Sequence, residues 1–210
     1  MIQILDIFLN LDKYLSSFVQ SYDILIYLLI FAIIFLETGL VIFPFLPGDS
    51  LLFAVGALSG IGLMNLWLML FISAIAAILG DSVNYSIGRR FGTFLLGRKN
   101  RLITSSHLKT TQNFYDKHGN KTIVLARFVP IVRTFAPFVA GIGRMKYSSF
   151  ISYNILGGIA WVAIFILGGF LFGNIPAVQQ QIHWIVVGII ILSLLPIAWK
   201  LVRSKLSKSI

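Results

Sequence analysis

Four charged residues lie in stretches of the sequence that are otherwise apolar enough to enter a lipid bilayer. They are two carboxylates, Glu37 and Asp49, and two arginines, Arg127 and Arg133. An ionised side chain at the centre of a bilayer costs about 2.5–3.5 kcal/mol on insertion scales, so four unpaired charges would oppose insertion. The sequence therefore predicts that these groups pair with one another, face water or bind a charged ligand.

The two residue types suit different tasks. A guanidinium is planar, always charged and able to donate two parallel hydrogen bonds to phosphate oxygens, so Arg127 and Arg133 are candidate ligand-binding residues. An apolar environment favours the protonated form of a carboxyl group, and a nearby arginine favours the charged form. Glu37 and Asp49 are therefore candidate proton carriers. A purely structural interpretation stays open, in which Glu37 pairs with Arg133 and Asp49 with Arg127.

Further residues near these groups are secondary candidates. Asp81 and Arg89 lie two helical turns apart, and we expect a structural ion pair or an interfacial anchor there. Tyr85 lies between them on the same predicted helix. Four prolines are interpreted as breaks in helices, because proline lacks an amide proton and collides with the preceding turn. These are Pro44, Pro47, Pro130 and Pro137.

The composition places the whole chain in the membrane class. Of its 210 residues 58% are hydrophobic and 11% charged, and the mean hydropathy is +0.91. These values exclude an ordinary soluble domain. The length predicts one membrane domain, 1–210, with about four to six inserted elements. The chain has no cysteine, which removes disulfides, thiolate metal sites and cysteine nucleophiles, and we expect neither a cofactor nor a metal.

The net charge of +10 comes from basic residues at the predicted membrane edges. They are concentrated in the connection 89–120 and after the last apolar block, and Arg144 and Lys146 mark a further interface. By the positive-inside rule, this connection and the C-terminal tail face the cytoplasm. The distribution argues against a nucleic-acid partner. It predicts a basic membrane edge that attracts anionic lipid headgroups.

The apolar pattern predicts an all-α helical bundle with some irregular elements. Residues 1–20 have the three- and four-residue spacing of an amphipathic interfacial helix and do not resemble a cleaved signal peptide. Segments 37–62 and 123–143 are apolar but broken by prolines and glycines, so we interpret them as re-entrant hairpins. A spanning helix begins near Leu66, and two more cover 147–172 and 183–199.

The two interrupted segments are similar to each other. Residues 43–56 end in Phe-Ala-Val-Gly, and residues 128–141 end in Phe-Val-Ala-Gly. Corresponding interrupted segments are typical of inverted-repeat transporters, in which they form the binding site near the bilayer midplane. The sequence therefore predicts two hairpins that enter from opposite faces. The first presents the acids and the second presents the arginines.

Four motifs, in order along the chain, resemble the DedA family, whose domain is also called the VTT type. They are Phe35-Leu-Glu-Thr-Gly39, Phe43-Pro-Phe-Leu-Pro-Gly-Asp49, Gly80-Asp-Ser-Val-Asn-Tyr-Ser-Ile-Gly-Arg89 and Ala126-Arg-Phe-Val-Pro-Ile-Val-Arg-Thr134. The resemblance implies a bacterial inner-membrane protein with paired re-entrant hairpins. The family includes proton-linked transporters and flippases for undecaprenyl phosphate or phospholipids. Its functional acids match Glu37 and Asp49, and its functional arginines match Arg127 and Arg133.

These observations favour a proton-coupled transporter or flippase for an anionic membrane lipid over an enzyme, and three alternatives stay open. A transporter for a small cation or drug would use the two acids, but arginines at the same depth would repel its substrate. An intramembrane lipid phosphatase needs a nucleophile beside a base or a metal, and His107, His118 and His183 lie outside the predicted core. A scaffold for membrane assembly needs no titratable charge.

Overall fold

The computed structural model describes residues 23–40, 48–97 and 105–176. Within these ranges the chain is helical apart from short connections, and no β-strand occurs there. The predicted all-α class is thus confirmed for the described residues. The predicted helices 1–20 and 183–199 lie outside them, as do Pro44 and Pro47.

The α-helices of the described ranges are α1 (Asp23–Gly39), α2 (Gly48–Gly60), α3 (Leu66–Gly97), α4 (Ser105–His118), α5 (Thr122–Leu125), α6 (Pro130–Ile142) and α7 (Tyr147–Gly173). Two 3₁₀ turns, Gly119–Lys121 and Ala126–Phe128, flank α5. Helices α3 and α7 are long and apolar enough to cross a bilayer, over Leu66–Phe91 and Tyr147–Gly173. Helices α1, α2 and α6 are apolar but shorter.

The chain divides into two compact units. The glycine-packed unit contains the described residues 23–30, 48–71 and 164–176, and the ion-pair unit contains 31–40, 72–97 and 105–163. Helices α1, α3 and α7 each contribute residues to both units.

In the glycine-packed unit, α2 and α7 pack backbone against backbone. A Cβ at Gly56 would lie 2.9 Å from the carbonyl carbon of Ile166, and one at Gly169 would lie 2.9 Å from that of Phe53. Small residues at four-residue spacing allow this approach, which is common between membrane helices. Between α2 and α3, Gly62 adopts a φ of 80°, a conformation that favours glycine.

The start of α3 has a defined cap. The Asn65 side-chain oxygen accepts a hydrogen bond from the Leu68 amide at 3.0 Å, which satisfies one of the free N–H groups of the first turn. The Asn65 amide itself donates to the Tyr27 hydroxyl at 3.0 Å. Helix α3 therefore begins at Leu66, and it continues past Arg89 to Gly97.

In the ion-pair unit, the segment 123–143 is broken at one residue, and Pro137, which the sequence predicts as a break, lies inside α6 instead. Val129 is extended, with φ −120° and ψ 106°, and Pro130 occupies the first turn of α6. A proline disfavours the helical conformation in the residue before it, so the preceding helical turn ends before Pro130. Proline suits the first position of a helix, so Pro130 also starts α6. Helix α4 packs on α6, where the Tyr115 hydroxyl donates to the Ala136 carbonyl at 2.9 Å.

Candidate functional site

The first feature of the site is a buried ion pair between α1 and α6. Arg133 Nη2, in the first turn of α6, donates to Glu37 Oε1, in the last turn of α1. The side chain of Glu37 is 3% exposed and that of Arg133 is 13% exposed. The structure therefore brings together one of the two predicted acids and one of the two predicted arginines. A small part of the Arg133 side chain remains exposed.

A second buried ion pair joins Arg127 to Asp81. Arg127 Nη2 donates to Asp81 Oδ2 and, at 2.5 Å, to the side-chain oxygen of Asn154 on α7. The Asn154 amide group in turn donates to the Ile78 carbonyl on α3 at 3.0 Å. The side chains of Arg127 and Asp81 are only 2% and 6% exposed. This network ties α3 and α7 to the 3₁₀ turn that carries Arg127.

The pairings expected of Asp81 and Arg127 therefore need correction. The sequence predicts an ion pair or an interfacial anchor for Asp81 and Arg89 and, in its structural interpretation, an Asp49–Arg127 pair, but Asp81 binds Arg127. Positions 81 and 89 are about 12 Å apart along a helix axis, at about 1.5 Å per residue. That rise is too long for a direct ion pair.

Arg89 instead takes part in a tyrosine-centred contact. Arg89 Nη1 donates to the Tyr85 hydroxyl at 3.0 Å, and this hydroxyl donates to the Met145 carbonyl in the turn after α6. The Tyr85 ring is 2% exposed and stacks on Phe150, with ring centroids 4.5 Å apart. Tyr85 and Arg89 thus hold the turn between α6 and α7 against α3.

One indole ring lies beside both arginines. Trp161 on α7 is fully buried, and the guanidinium carbons of Arg133 and Arg127 lie 5.0 and 5.8 Å from its ring centroid. A cation over an aromatic face is attracted by the negative face of the ring. Trp161 therefore favours keeping two like charges close together in a buried place.

Asn84 connects the backbones next to the Glu37–Arg133 pair. Its side-chain nitrogen donates to the Thr38 carbonyl at 3.1 Å and to the Thr134 carbonyl at 3.0 Å. Thr38 follows Glu37 in the chain, and Thr134 follows Arg133. Asn84 is fully buried, and its side-chain oxygen has no hydrogen-bond partner among the described residues. Asn84 therefore fixes the backbone beside Glu37 relative to the backbone beside Arg133.

Arg127 has more buried donors than the described residues satisfy. Nη2 makes both of its hydrogen bonds, while Nε and Nη1 are buried and have no acceptor in the ranges that the structure covers. A buried donor without a partner costs about 1–3 kcal/mol. Arg127 Nε and Nη1 are therefore donors with room for a further acceptor, while the Asn84 side-chain oxygen is a buried acceptor without a partner among the described residues.

The remaining predicted site residues lie elsewhere. Asp49 is in the first turn of α2 and belongs to the glycine-packed unit, where it is half-buried and favourably placed for the helix dipole. Pro130 starts α6 and makes the break already described. Three residues that the sequence analysis did not single out as site candidates line the two pairs: Asn84, Asn154 and Trp161. The sequence could have indicated the two asparagines as site residues, because an amide inside an apolar helix must find hydrogen-bond partners.

Long apolar helices together with buried arginine–carboxylate pairs define a helical membrane protein with a charged internal site. Comparisons with known proteins agree. The VTT domain family matches residues 46–171. The chain is 49% identical to the protein DedA of Escherichia coli (strain K12) over 205 residues, which are 96% of this chain and 94% of that protein.

Two further relatives are also membrane proteins. An uncharacterized membrane protein of Mycobacterium leprae is 43% identical over 177 residues, 82% of this chain and 79% of its own. The inner membrane protein YqjA of Escherichia coli (strain K12) is 33% identical over 153 residues, 72% of this chain and 70% of its own. No solved structure matches. The chain belongs to the DedA family of membrane proteins, as its four motifs indicated.

Proposed function

We propose that the protein moves an anionic lipid across the bacterial cytoplasmic membrane, namely a polyprenyl phosphate such as undecaprenyl phosphate or a phospholipid. Arg133 and Arg127 bind the headgroup. The observation that carries this proposal is the surplus of buried donors on Arg127 beside the Glu37–Arg133 pair. Phosphate oxygens are the acceptors that guanidinium groups bind best.

The two arginines take different parts in binding. Arg127 is held by Asp81 and Asn154 through one nitrogen, so its other nitrogens are available while the anchor stays intact. Arg133 is the more exposed of the two and bonds to Glu37 through Nη2. A headgroup that enters the site therefore exchanges with Glu37 on Arg133 and adds to Arg127.

Proton coupling follows from this exchange. When Arg133 turns to the phosphate, Glu37 loses the nearby Arg133 charge while it remains buried. Burial favours the protonated form of a carboxyl group, and loss of a nearby positive charge favours it further, so Glu37 takes up a proton. Departure of the lipid reverses both steps. Asp49, the second predicted proton carrier, would act from the other unit of the chain.

The proposed movement uses the interrupted segments as hairpins. Within 123–143 the helix α6 has 13 residues, and a full span of the hydrocarbon core needs about 20. This supports a re-entrant second hairpin. From the likeness of residues 43–56 and 128–141, we propose an inverted repeat whose two halves rock and open the site to each leaflet in turn. From the positive-inside rule, we propose that the C-terminus faces the cytoplasm.

A vesicle assay tests the headgroup assignment. Purified protein is reconstituted into liposomes, and the translocation of a labelled polyprenyl phosphate is measured for wild type, Arg133→Gln and Arg90→Gln. Arg90 is an exposed arginine on α3 and serves as the matched control. We expect Arg133→Gln to slow translocation about 100-fold, because a charge-assisted hydrogen bond contributes about 1.5–3 kcal/mol. A wild-type rate for folded Arg133→Gln would refute the assignment.

Charge reversal separates binding from a structural role. Glu37→Arg combined with Arg133→Glu preserves an ion pair but places the cation on the other helix. If the pair only holds the bundle together, the double variant recovers translocation, whereas we expect none. Uptake of a labelled cation into the same vesicles tests the alternative of a cation transporter. Release of inorganic phosphate from a lipid phosphate tests the alternative of a phosphatase.

A further inference from the structure

A cavity separate from the ion pairs lies between α4, the end of α6 and the start of α7. Its volume is about 330 Å³. The polar part of its wall consists of Gln112, Tyr115, Asn120, Lys146 and Ser149, and the other lining residues are glycine or apolar. All of them belong to the ion-pair unit, and none takes part in the two ion pairs. The cavity is large enough for a small polar group and the atoms bonded directly to it.

The charge of the wall points to an anion. Lys146 supplies an ammonium group, and no carboxylate is among the lining residues. Asp116, the one acid between positions 105 and 150, accepts a hydrogen bond from the Gln112 amide at 3.1 Å. Amide and hydroxyl donors of Asn120 and Ser149 complete a set that suits phosphate oxygens.

The backbone around the cavity adds donors. The first hydrogen bond of α7 runs from the Phe150 amide to the Lys146 carbonyl at 3.0 Å, so the amides of the first turn are not used within the helix. A helix amino end also carries partial positive charge. Lys146 and Ser149 line the cavity at this end of α7.

The surface near the cavity is basic as well. The exposed side chains of this part of the chain include Lys117, Lys121 and Arg144. Such a cluster raises the local concentration of anions and attracts an anionic bilayer surface. Tyr115 is committed elsewhere, because its hydroxyl donates to the Ala136 carbonyl. Burial and, to a lesser degree, the charge of Asp81 raise the pKa of the Tyr115 phenol, so it remains a neutral donor.

We propose that this cavity binds a phosphate group, either the headgroup of an anionic lipid or free phosphate, with Lys146 as its main cationic contact. The bound group contacts α4, α6 and α7 at once and so ties their ends together. It lies at the opposite end of α6 from Arg133, which is in the first turn of that helix. The cavity therefore forms a second anion site, distinct from the proposed transport site.

A local fluorescent label tests this site in the full-length protein. The chain contains no cysteine, so Ser148→Cys, next to the cavity residue Ser149, accepts a single environment-sensitive label. The labelled protein in detergent is titrated with three probes: inorganic phosphate, dioctanoyl phosphatidic acid and dioctanoylglycerol. The last has the same chains without the phosphate. We expect saturable binding of phosphatidic acid and none of dioctanoylglycerol.

Two lysine variants show whether the cavity is responsible. Lys146→Gln should weaken binding about tenfold, the lower end of the range for one charge-assisted hydrogen bond, because Lys146 is exposed. Lys109→Gln is the matched control, since Lys109 is exposed on α4 and does not line the cavity. Ser149→Asp places a negative charge in the wall and should weaken binding at least as much as Lys146→Gln.

The outcomes are distinct. Binding of inorganic phosphate as tight as that of phosphatidic acid identifies free phosphate as sufficient, and tight binding of the lipid alone identifies a headgroup site. Dioctanoylglycerol binding equal to that of phosphatidic acid would overturn the proposal, and so would equal losses in Lys146→Gln and Lys109→Gln. Because the label reports on the cavity, a failure here leaves the transport assay of Arg133 unaffected.

Discussion

Two arginine–carboxylate pairs lie in the same unit of this protein, and their surroundings differ. The Arg127–Asp81 pair is 2% and 6% exposed, and Asn154 adds a third partner to the arginine. In the Arg133–Glu37 pair the arginine is 13% exposed. Both pairs combine the same two functional groups. Their roles must therefore be set by what surrounds them.

The difference indicates how one charge chemistry serves two purposes. An arginine anchored by a buried carboxylate and a buried amide is costly to release, because removing one partner leaves an uncompensated charge. An arginine that keeps some access can exchange its carboxylate for another anion. We infer that Arg127–Asp81 mainly anchors the helices and that Arg133–Glu37 is the pair that opens. Four pairs of variants test this distinction.

The largest effect is expected from Asp81→Asn. The change leaves Arg127 buried without its counter-charge, which should lower the free energy of unfolding by about 3–5 kcal/mol. Thermal unfolding of the purified protein in detergent measures it. Asp116→Asn is the control, since that acid is exposed and, among the described residues, bonds to Gln112 on the surface of α4. Equal stability of Asp81→Asn and wild type would remove the distinction between the two pairs.

Arg133→Lys should affect transport more than stability. Lysine keeps the charge but replaces the planar fork by a point charge, so parallel hydrogen bonds to a phosphate are lost. We expect translocation in liposomes to fall about tenfold, with a near-normal unfolding temperature. Arg127→Lys, measured in parallel, should lower the unfolding temperature markedly. The opposite pattern would exchange the roles of the two arginines.

Asn84→Ala should have a smaller effect, on the alignment of the Glu37–Arg133 pair. It leaves the carbonyls of Thr38 and Thr134 without their side-chain donor, at a cost of about 2 kcal/mol. The matched control is Asn174→Ala, since Asn174 is exposed and its side chain, among the described residues, bonds to the carbonyl four residues earlier. Unfolding in detergent distinguishes the two. A loss as small as that of the control would show that Asn84 does not hold the pair.

The smallest effect concerns the glycines that pack on Arg127. A Cβ at Gly157 would lie 3.1 Å from both Arg127 Cδ and Val124 Cα, and a backbone atom cannot move aside easily. Gly157→Ala should cost about 1 kcal/mol through overpacking. At Gly158 the nearest atom is a side-chain carbon of Ile78 at 3.0 Å, which can adjust, so Gly158→Ala should be nearly neutral. Equal unfolding temperatures for the two variants would contradict this account.

Much of the helical framework could be predicted from local sequence. Apolar stretches of sufficient length predict α3 and α7, and α3 begins at Leu66 as expected. The break before Pro130 follows from proline stereochemistry. Buried charge in the apolar segments also follows, because Glu37 and Arg127 occur where the neighbouring residues are apolar. Each of these properties depends on a few adjacent residues.

The partner of each charge could not be predicted in this way. Spacing along a helix favoured Asp81 with Arg89, yet Asp81 meets Arg127, 46 positions later in the chain. Trp161 and Asn154 come from a stretch without charges, where sequence alone predicts only a spanning helix.

Local composition therefore determines which segments are helical and that charges are buried in them. Pairing depends on how α1 packs on α6, and on how α3 and α7 pack on the 3₁₀ turn that carries Arg127, which brings distant positions within hydrogen-bonding distance. Exposure of a guanidinium depends on the same packing, so the contrast between a fixed arginine and an exchangeable one exists only in the folded chain. The physical reason is that hydrogen bonds and burial act over a few ångströms in space, whatever the separation in sequence.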